Sequence, residues 1–328
     1  MSVRIGIYGF GAIGRLIARA ALDRGYEIVG AVDINPEIVG KDVGELIGRE
    51  RLGVSVSRDP DTLVEADVVL HATGSYLDRV YDQLLRVIDL GIDVISTCET
   101  LSYPYYRYPV LARRLDAKAR SHGVTVLGTG INPGFLLDTL VTVLTAPFHV
   151  VKRIKAVRSL DASKRRLPFQ KKVGIGLDPD VYREKLAKGE LTGHVGYAES
   201  VLLIADAAGL QPSRVAEHQE PVVAEEDVKV GTRVIGRGKV LGARGYGAAY
   251  VGDREVIRIE FIAYAGAEEY ELIEIEGKEY TVTWKSSGTP GDMGTVSVLL
   301  NLVDAVLESG PGLITMADLV PFRPKLVP

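Results

Sequence analysis

The segment Arg4-Ile5-Gly6-Ile7-Tyr8-Gly9-Phe10-Gly11-Ala12-Ile13-Gly14-Arg15 constrains this chain more than any other. Gly9, Gly11 and Gly14 follow an apolar, strand-like run and lead straight into Leu16-Ile17-Ala18-Arg19-Ala20-Ala21-Leu22, which reads as helix. On its own such a glycine spacing is a weak signal. Here a second strand-like run, Glu27-Ile28-Val29-Gly30-Ala31-Val32, ends in Asp33, nineteen positions after Gly14. Strand, glycines, helix, strand and acid together describe a dinucleotide-binding βαβ unit. The pyrophosphate is expected on Gly9, Phe10, Gly11, Ala12, Ile13 and Gly14, where a helix start presents unpaired N–H groups and the positive end of its dipole. Asp33 is placed to accept hydrogen bonds from the adenosine ribose. A carboxylate there repels a 2′-phosphate, so NAD is expected over NADP, and Ile34 offers no cation to reverse that preference. Arg15 and Lys41 leave dual use of NAD and NADP open.

Composition narrows the class further. A length of 328 residues suits two domains, and 46% apolar residues suffice for a sizeable core. A net charge of −4 gives no basic footprint for nucleic acid. No apolar stretch approaches a membrane span, and the first strand begins at Val3, so neither a membrane anchor nor a signal peptide is expected. The single cysteine, Cys98, excludes an internal disulfide and a cysteine-rich metal site, and no His pair has metal-ligand spacing. These readings point to a cytoplasmic protein without a metal.

The first half alternates strand and helix. Val54–Val56, Asp67–Thr73, Asp93–Thr97 and Val124–Gly128 read as strands, with helices at Val43–Ile47, Leu77–Leu90 and Val110–Ser121. That order predicts an α/β, doubly wound parallel sheet, with ligands off the carboxyl ends of its strands. Ala72-Thr73-Gly74, Thr97-Cys98-Glu99 and Thr129-Gly130-Ile131-Asn132-Pro133-Gly134 all fall at such ends. From about Val151, β-branched and aromatic runs at Lys155–Leu160, Thr232–Val240, Glu255–Tyr264 and Glu271–Trp284 predict a second α+β domain on an open mixed sheet. The last two runs read as neighbouring antiparallel strands turning near Gly266-Ala267. Gly291–Glu308 reads as one helix that returns, with the tail, to the cofactor domain. The expected division is 1–134 plus about 289–328 for the cofactor domain, and 135–288 for substrate and dimerisation.

Glu99 stands out as the candidate acid–base group. It ends a strand that should face the nicotinamide, and a partly desolvated carboxylate becomes a usable proton acceptor and attracts an ammonium or iminium. Ala72, Thr73, Gly74, Cys98 and Asn132 are expected beside the cofactor. His194 could donate to substrate or cofactor, or satisfy a local backbone group. Arg158, with Lys164, Arg165 and Arg166, could meet a substrate carboxylate or form a solvated face. Tyr103, Tyr105, Tyr106 and Tyr108 could wall a pocket or pack their loop. His71, His122, His149 and His218 read as structural.

Thr97-Cys98-Glu99 with Tyr103-Pro104, Gly128-Thr129-Gly130-Ile131-Asn132-Pro133-Gly134-Phe135, and Gly193-His194-Val195-Gly196 with Glu199-Ser200 resemble the 2,4-diaminopentanoate dehydrogenase family, which includes native NAD(P)-dependent amine dehydrogenases. Gly312–Leu319 is similar as well. The resemblance implies the two-domain architecture of dihydrodipicolinate reductase and a homodimer. It implies oxidative deamination of an amine or diamino acid to a ketone and ammonia, with the reverse reductive amination. Glu99 would hold the catalytic position, and Asn132, Pro133 and Phe135 would shape the pocket near the nicotinamide. The His-His-x-x-Lys and Ser-Gly-Thr motifs of dihydrodipicolinate reductases have no counterpart around Ser159–Arg166, and the Glu-Lys-Pro of related sugar oxidoreductases is replaced by Glu99-Thr100-Leu101. An imine reductase on the same scaffold and a non-catalytic NAD-binding sensor stay open as alternatives.

Overall fold

The structure, a computed structural model, describes residues 2–327. The chain divides into two compact units. One holds residues up to Phe135 together with Pro290–Leu319; the other holds Leu136–Thr289 together with the residues from Val320 onward.

The first unit opens with β1 (Arg4–Tyr8), α1 (Ala12–Asp23), β2 (Glu27–Val32), α2 (Val43–Leu46), β3 (Val56–Ser57) and β4 (Val68–His71). It continues with α3 (Leu77–Asp89), β5 (Asp93–Ser96), α4 (Pro104–Arg107), α5 (Pro109–His122) and β6 (Thr125–Gly128). β4 and β6 are buried at every residue, as parallel strands covered on both faces must be. α3 turns Leu77, Val80, Leu84, Val87 and Ile88 inward at helical spacing, onto a core with Val69, Val94 and Val126.

The second unit carries α6 (Thr139–Leu144), β7 (Val151–Asp161), α7 (Leu167–Lys172), α8 (Pro179–Ala187), α9 (Tyr197–Ala207) and β8 (Arg214–Val223). A small hairpin of β9 (Val228–Val230) and β10 (Arg233–Ile235) follows. The long strands β11 (Val240–Val251), β12 (Arg254–Tyr264), β13 (Tyr270–Gly277) and β14 (Thr281–Ser286) complete it. They form a six-stranded mixed sheet in the order β14-β13-β7-β12-β11-β8. β12 and β13 are therefore not neighbours, contrary to the sequence expectation. β7 lies between them, parallel to β12 and antiparallel to β13. The link from β12 to β13 passes the end of β7, where the Gly266 N–H donates to Asp161 Oδ1 (2.9 Å). Local alternation predicted strands here but carried no information on partners.

β11 escaped the sequence reading because Gly and Ala dominate it. Their smallness serves packing: a Cβ at Gly247 would lie 2.5 Å from the Tyr197 carbonyl oxygen, so α9 can rest directly on this strand. The expected helix over Gly291–Glu308 is two helices, α10 (Gly291–Asn301) and α11 (Val303–Leu307). At Leu302 the backbone tightens, with its N–H bonded to the Leu299 carbonyl three residues back. Val296, Leu299, Leu300, Val303 and Val306 are nonetheless all buried. After them β15 (Gly312–Ile314) pairs with β6, giving a seven-stranded parallel sheet in the order β15-β6-β5-β4-β1-β2-β3. The tail then leaves this unit. Val151 N–H donates to the Lys325 carbonyl and Val327 N–H to the Val151 carbonyl, which ties the last residues to β7. Among the described residues no helix is long and apolar enough to cross a membrane.

Candidate active site

The order of strands around β1 creates the site. β1 pairs with β2 on one side and β4 on the other, so the chain reverses direction across the sheet there, and the carboxyl ends of these two pairs open a crevice. Gly9 turns the chain out of β1 at φ +95°, and its N–H donates to the Val32 carbonyl (2.8 Å). A Cβ on Gly9 would lie 2.6 Å from the Ala72 carbonyl oxygen. One on Gly14 would fall on the Gly9 carbonyl oxygen, and one on Gly11 would meet only open space. The turn is thus closed against the protein and bare on its outer side. α1 starts with no side-chain cap and no acid in its first turn. Its first N–H groups face an opening that suits a pyrophosphate.

Asp33 follows the last residue of β2, and both carboxylate oxygens are engaged. Oδ2 accepts from the Phe10 N–H (2.7 Å) and Oδ1 from the Asn35 N–H (2.8 Å). The acid is therefore oriented against the glycine turn it is expected to serve. Phe10 itself is fully buried, so any contact it makes with the cofactor falls to its backbone. Ile34, beside Asp33, is 83% exposed.

Ala72, Thr73 and Gly74 continue β4 past His71, and Cys98 and Glu99 continue β5 past Ser96. Glu99 opens a short 3-10 turn, Glu99–Leu101, and is half-buried. Cys98 is fully buried, packed among Leu101, Leu77 and Ala112, and burial pushes its thiol up to about 12, with the Glu99 charge adding to the effect. It is neither a thiolate nor a side-chain contact for the cofactor; only its backbone remains for that part. Asn132 precedes Pro133 through a cis peptide bond in a compact loop after β6, and the neighbouring Ile131 N–H donates to Thr295 Oγ1 of α10 (3.3 Å). Asn132 and Phe135 are both half-buried. Tyr103 packs edge-on against Tyr105, while Tyr105 and Tyr108 bond to the Leu313 carbonyl and Asp78. These tyrosines fasten their own loop to the first unit.

Arg158 and His194 belong to the second unit, and the basic cluster of the sequence divides. Arg158, on β7, is 2% exposed. Its Nη2 donates to the Thr289 carbonyl (3.0 Å), and its Nε lies 3.5 Å from Glu271 Oε1. Burial draws its pKa down to about 10, with Glu271 opposing and Arg165 adding to the shift. Lys164 instead pairs with Glu269 at the surface, and Arg165 lies over the Phe169 ring. His194 stacks on Phe261 with ring centroids 4.2 Å apart and meets Tyr197 edge-on. Burial, then the charges of Lys172 and Arg158, hold its pKa well below the ordinary histidine value, so the ring is neutral at physiological pH. The hydroxyl of this Tyr197, like that of Tyr182, is buried without a hydrogen-bond partner. Two groups escaped the sequence reading: Lys172 and Tyr197 beside His194, and the buried network of His71 and Ser96 behind the strand end that carries Glu99. The signal for the second was a His closing the otherwise apolar run Val68-Val69-Leu70-His71. Among the described residues no three His, Cys, Asp or Glu side chains gather as a metal site. A surface groove of about 740 Å³ lies at the amino ends of β1 and β2, the ends opposite Gly9 and Asp33, with Arg4, Tyr26 and Glu27 among its lining residues.

Residues 135–325 match the model of the 2,4-diaminopentanoate dehydrogenase C-terminal domain, and residues 3–95 match the dihydrodipicolinate reductase N-terminus. The chain belongs to the 2,4-diaminopentanoate dehydrogenase family. The 2,4-diaminopentanoate dehydrogenase of Acetoanaerobium sticklandii is 32% identical over 97% of this chain and 93% of its own length. In fold, the chain resembles the amine dehydrogenase of Mycobacterium smegmatis at a TM-score of 0.86 and 23% identity, covering 97% of this chain and 96% of that one. A more distant likeness is GenD2 from gentamicin A biosynthesis in complex with NAD, at a TM-score of 0.58 and 16% identity over 97% of this chain and 90% of that one. The glycine turn is the part of the chain that the sequence marks as the expected dinucleotide cradle. The close approach of Gly14 to the Gly9 carbonyl yields a prediction. Gly14→Ala forces the turn open, costing about 1–3 kcal/mol of stability, and thermal melts should show lower Tm with a smaller gain from added NADH.

Proposed function

We propose that the protein is an NAD-dependent amine dehydrogenase. It converts an amine, NAD⁺ and water to a ketone, ammonium and NADH, and runs the reverse reductive amination. The observation that carries this reading is the whole-length match to a diaminopentanoate dehydrogenase, joined to an acid at the end of β5 on the sheet edge that holds the glycine turn. The bound dinucleotide supplies the hydride acceptor for deamination and the donor for the reverse reaction. Residues Gly9–Gly14 would hold its pyrophosphate and Asp33 its ribose. Ala72–Gly74, the Cys98 backbone and Asn132 would line its nicotinamide end. Glu99 takes the proton that leaves the substrate ammonium and opposes the positive charge on the carbon–nitrogen unit. Glu99→Gln should retain NADH binding and lose about 10²–10⁴-fold in kcat. NADH oxidation with a ketone should require ammonia. Oxidation without ammonia would favour an imine reductase, and binding without any turnover a sensor.

NAD over NADP follows from Asp33, held by two backbone N–H groups at the place where a 2′-phosphate would sit, with Ile34 rather than a cation beside it. Titration should give tighter binding of NADH than NADPH, and Asp33→Ser should narrow the difference. A homodimer in the cytoplasm completes the proposal.

For the substrate, the second unit favours a diamino acid over a simple alkyl amine. Arg158 and Lys172 act on the same buried His194, Arg165 acts on Arg158, and Glu271 offsets Arg158. A buried arginine whose Nε has no hydrogen-bond partner suits a carboxylate-bearing ligand. Phe135 and Tyr103 would supply apolar contact. Arg158→Met should lower kcat/KM for a 2,4-diamino acid about 10- to 100-fold, the worth of a charge-assisted hydrogen bond, and leave an alkyl amine far less affected. Arg158→Lys should recover part of the loss; equal losses on both substrates would remove Arg158 from carboxylate recognition.

A further inference from the structure

Glu99 is held by its neighbours on both sides, and the holding groups trace to one buried histidine. The Cys98 N–H donates to Ser96 Oγ (3.1 Å), and Ser96 Oγ lies 2.8 Å from His71 Nδ1. The other nitrogen, Nε2, lies 2.8 Å from Gln83 Oε1, which also accepts from Thr73 Oγ1 (2.6 Å). Gln83 Oε1 only accepts, so Nε2 carries the proton. Burial holds the His71 pKa near 4, which keeps the imidazole neutral. In that state Nδ1 accepts from the Ser96 hydroxyl, and that hydroxyl accepts from the Cys98 N–H.

On the other side of Glu99, Thr100 is fully buried. Its N–H donates to the Ser75 carbonyl (3.1 Å), and its Oγ1 accepts from the Leu77 N–H (2.8 Å). The Thr97 N–H donates to the His71 carbonyl (2.9 Å). The segment after β4, which carries Thr73, and the segment after β5, which carries Glu99, are therefore sewn together, and His71, Ser96 and Thr100 do so from fully buried positions. Leu77 is the first residue of α3, and Tyr76 ahead of it makes no side-chain cap. Thr100 thus supplies, from another strand, an acceptor that the start of α3 lacks.

We propose that His71, Ser96 and Thr100 form a positioning frame that sets the Glu99 carboxylate relative to the Ala72–Gly74 turn, so that the acid–base group and the nicotinamide-binding segment keep one geometry. Nothing in the frame touches the reacting atoms; it acts through the backbone of Cys98 and Thr100. The proposal rests on the reading of Glu99 as the proton-transfer group.

Thr100→Val keeps the shape and removes the oxygen, whereas Thr100→Ser keeps the oxygen and removes a methyl group. Thr100→Val should lower kcat about 10- to 100-fold, the scale expected for a displaced reacting group, with NADH affinity retained. Thr100→Ser should restore most of that loss. Ser96→Ala, which frees the Cys98 N–H, should lower kcat in the same way and provides the test should Thr100→Val fold poorly. Combined with Glu99→Gln, either substitution should add no further loss, because there is no acid left to position. Unchanged kcat in both variants, a Thr100→Ser enzyme as slow as Thr100→Val, or fully multiplicative losses with Glu99→Gln would each overturn the frame. Full turnover in Glu99→Gln alone would overturn the reading of Glu99 and the frame together. A dead Glu99→Gln beside unimpaired Thr100→Val and Ser96→Ala would remove the frame alone.

Discussion

The first unit depends on how closely the chain can fold back on itself between β1 and α1. The Gly9 carbonyl occupies the place where a side chain at residue 14 would begin, and a side chain at residue 9 would press on the Ala72 carbonyl. Only glycine at both positions lets the helix start against the strand while β4 runs alongside. That approach leaves the N–H groups of α1 uncapped and open to solvent, and it brings the end of β4 beside the turn. The uncapped helix start is a consequence of the packing as much as of the motif. The same small residues that permit the fold leave room there for an anion.

Burial of polar groups is the second theme. In the first unit, His71, Ser96 and Thr100 are fully buried yet satisfied, each hydrogen bond directed by the next. Such a network is rigid, because breaking any member leaves a polar atom in a dry environment. Other buried polar atoms lack hydrogen-bond partners: Arg15 Nε, Ser102 Oγ and Thr129 Oγ1 in the first unit, and Arg158 Nε and the hydroxyls of Tyr182 and Tyr197 in the second. A folded protein tolerates few such atoms. Of these, Tyr197 lies edge-on to His194, which burial and the charges of Lys172 and Arg158 hold neutral.

Much of the first unit was legible because its elements advertise themselves locally. Continuous apolar runs marked the parallel strands, and helical spacing marked α3 and α5. The three-residue β15 was missed, since so short a strand is created by its neighbour β6 rather than by its own residues. β11 was missed for a related reason: Gly245 and Gly247 weaken the local strand signal, and their value lies in making room for Tyr197. The pairing of β12 with β13 was read wrongly, because alternation reports which face is buried and is silent on which strand lies alongside. Among site residues, Cys98 is packed in the core, and His71, which reads as structural from the sequence, joins the end of β4 to the end of β5.

By itself the sequence determined the dinucleotide-binding unit, the two-part organisation and the acid at the end of β5, because these are written in spacings a few residues long, where the geometry of helix and strand acts directly. Only tertiary structure decided that β7 runs between β12 and β13, that the basic cluster splits into one buried arginine and surface cations, and that a histidine from β4 braces the turn holding Glu99. Each of these depends on atoms that are distant along the chain and adjacent in space. Burial, which sets the protonation of His71 and His194, exists only once those distant segments have closed around them.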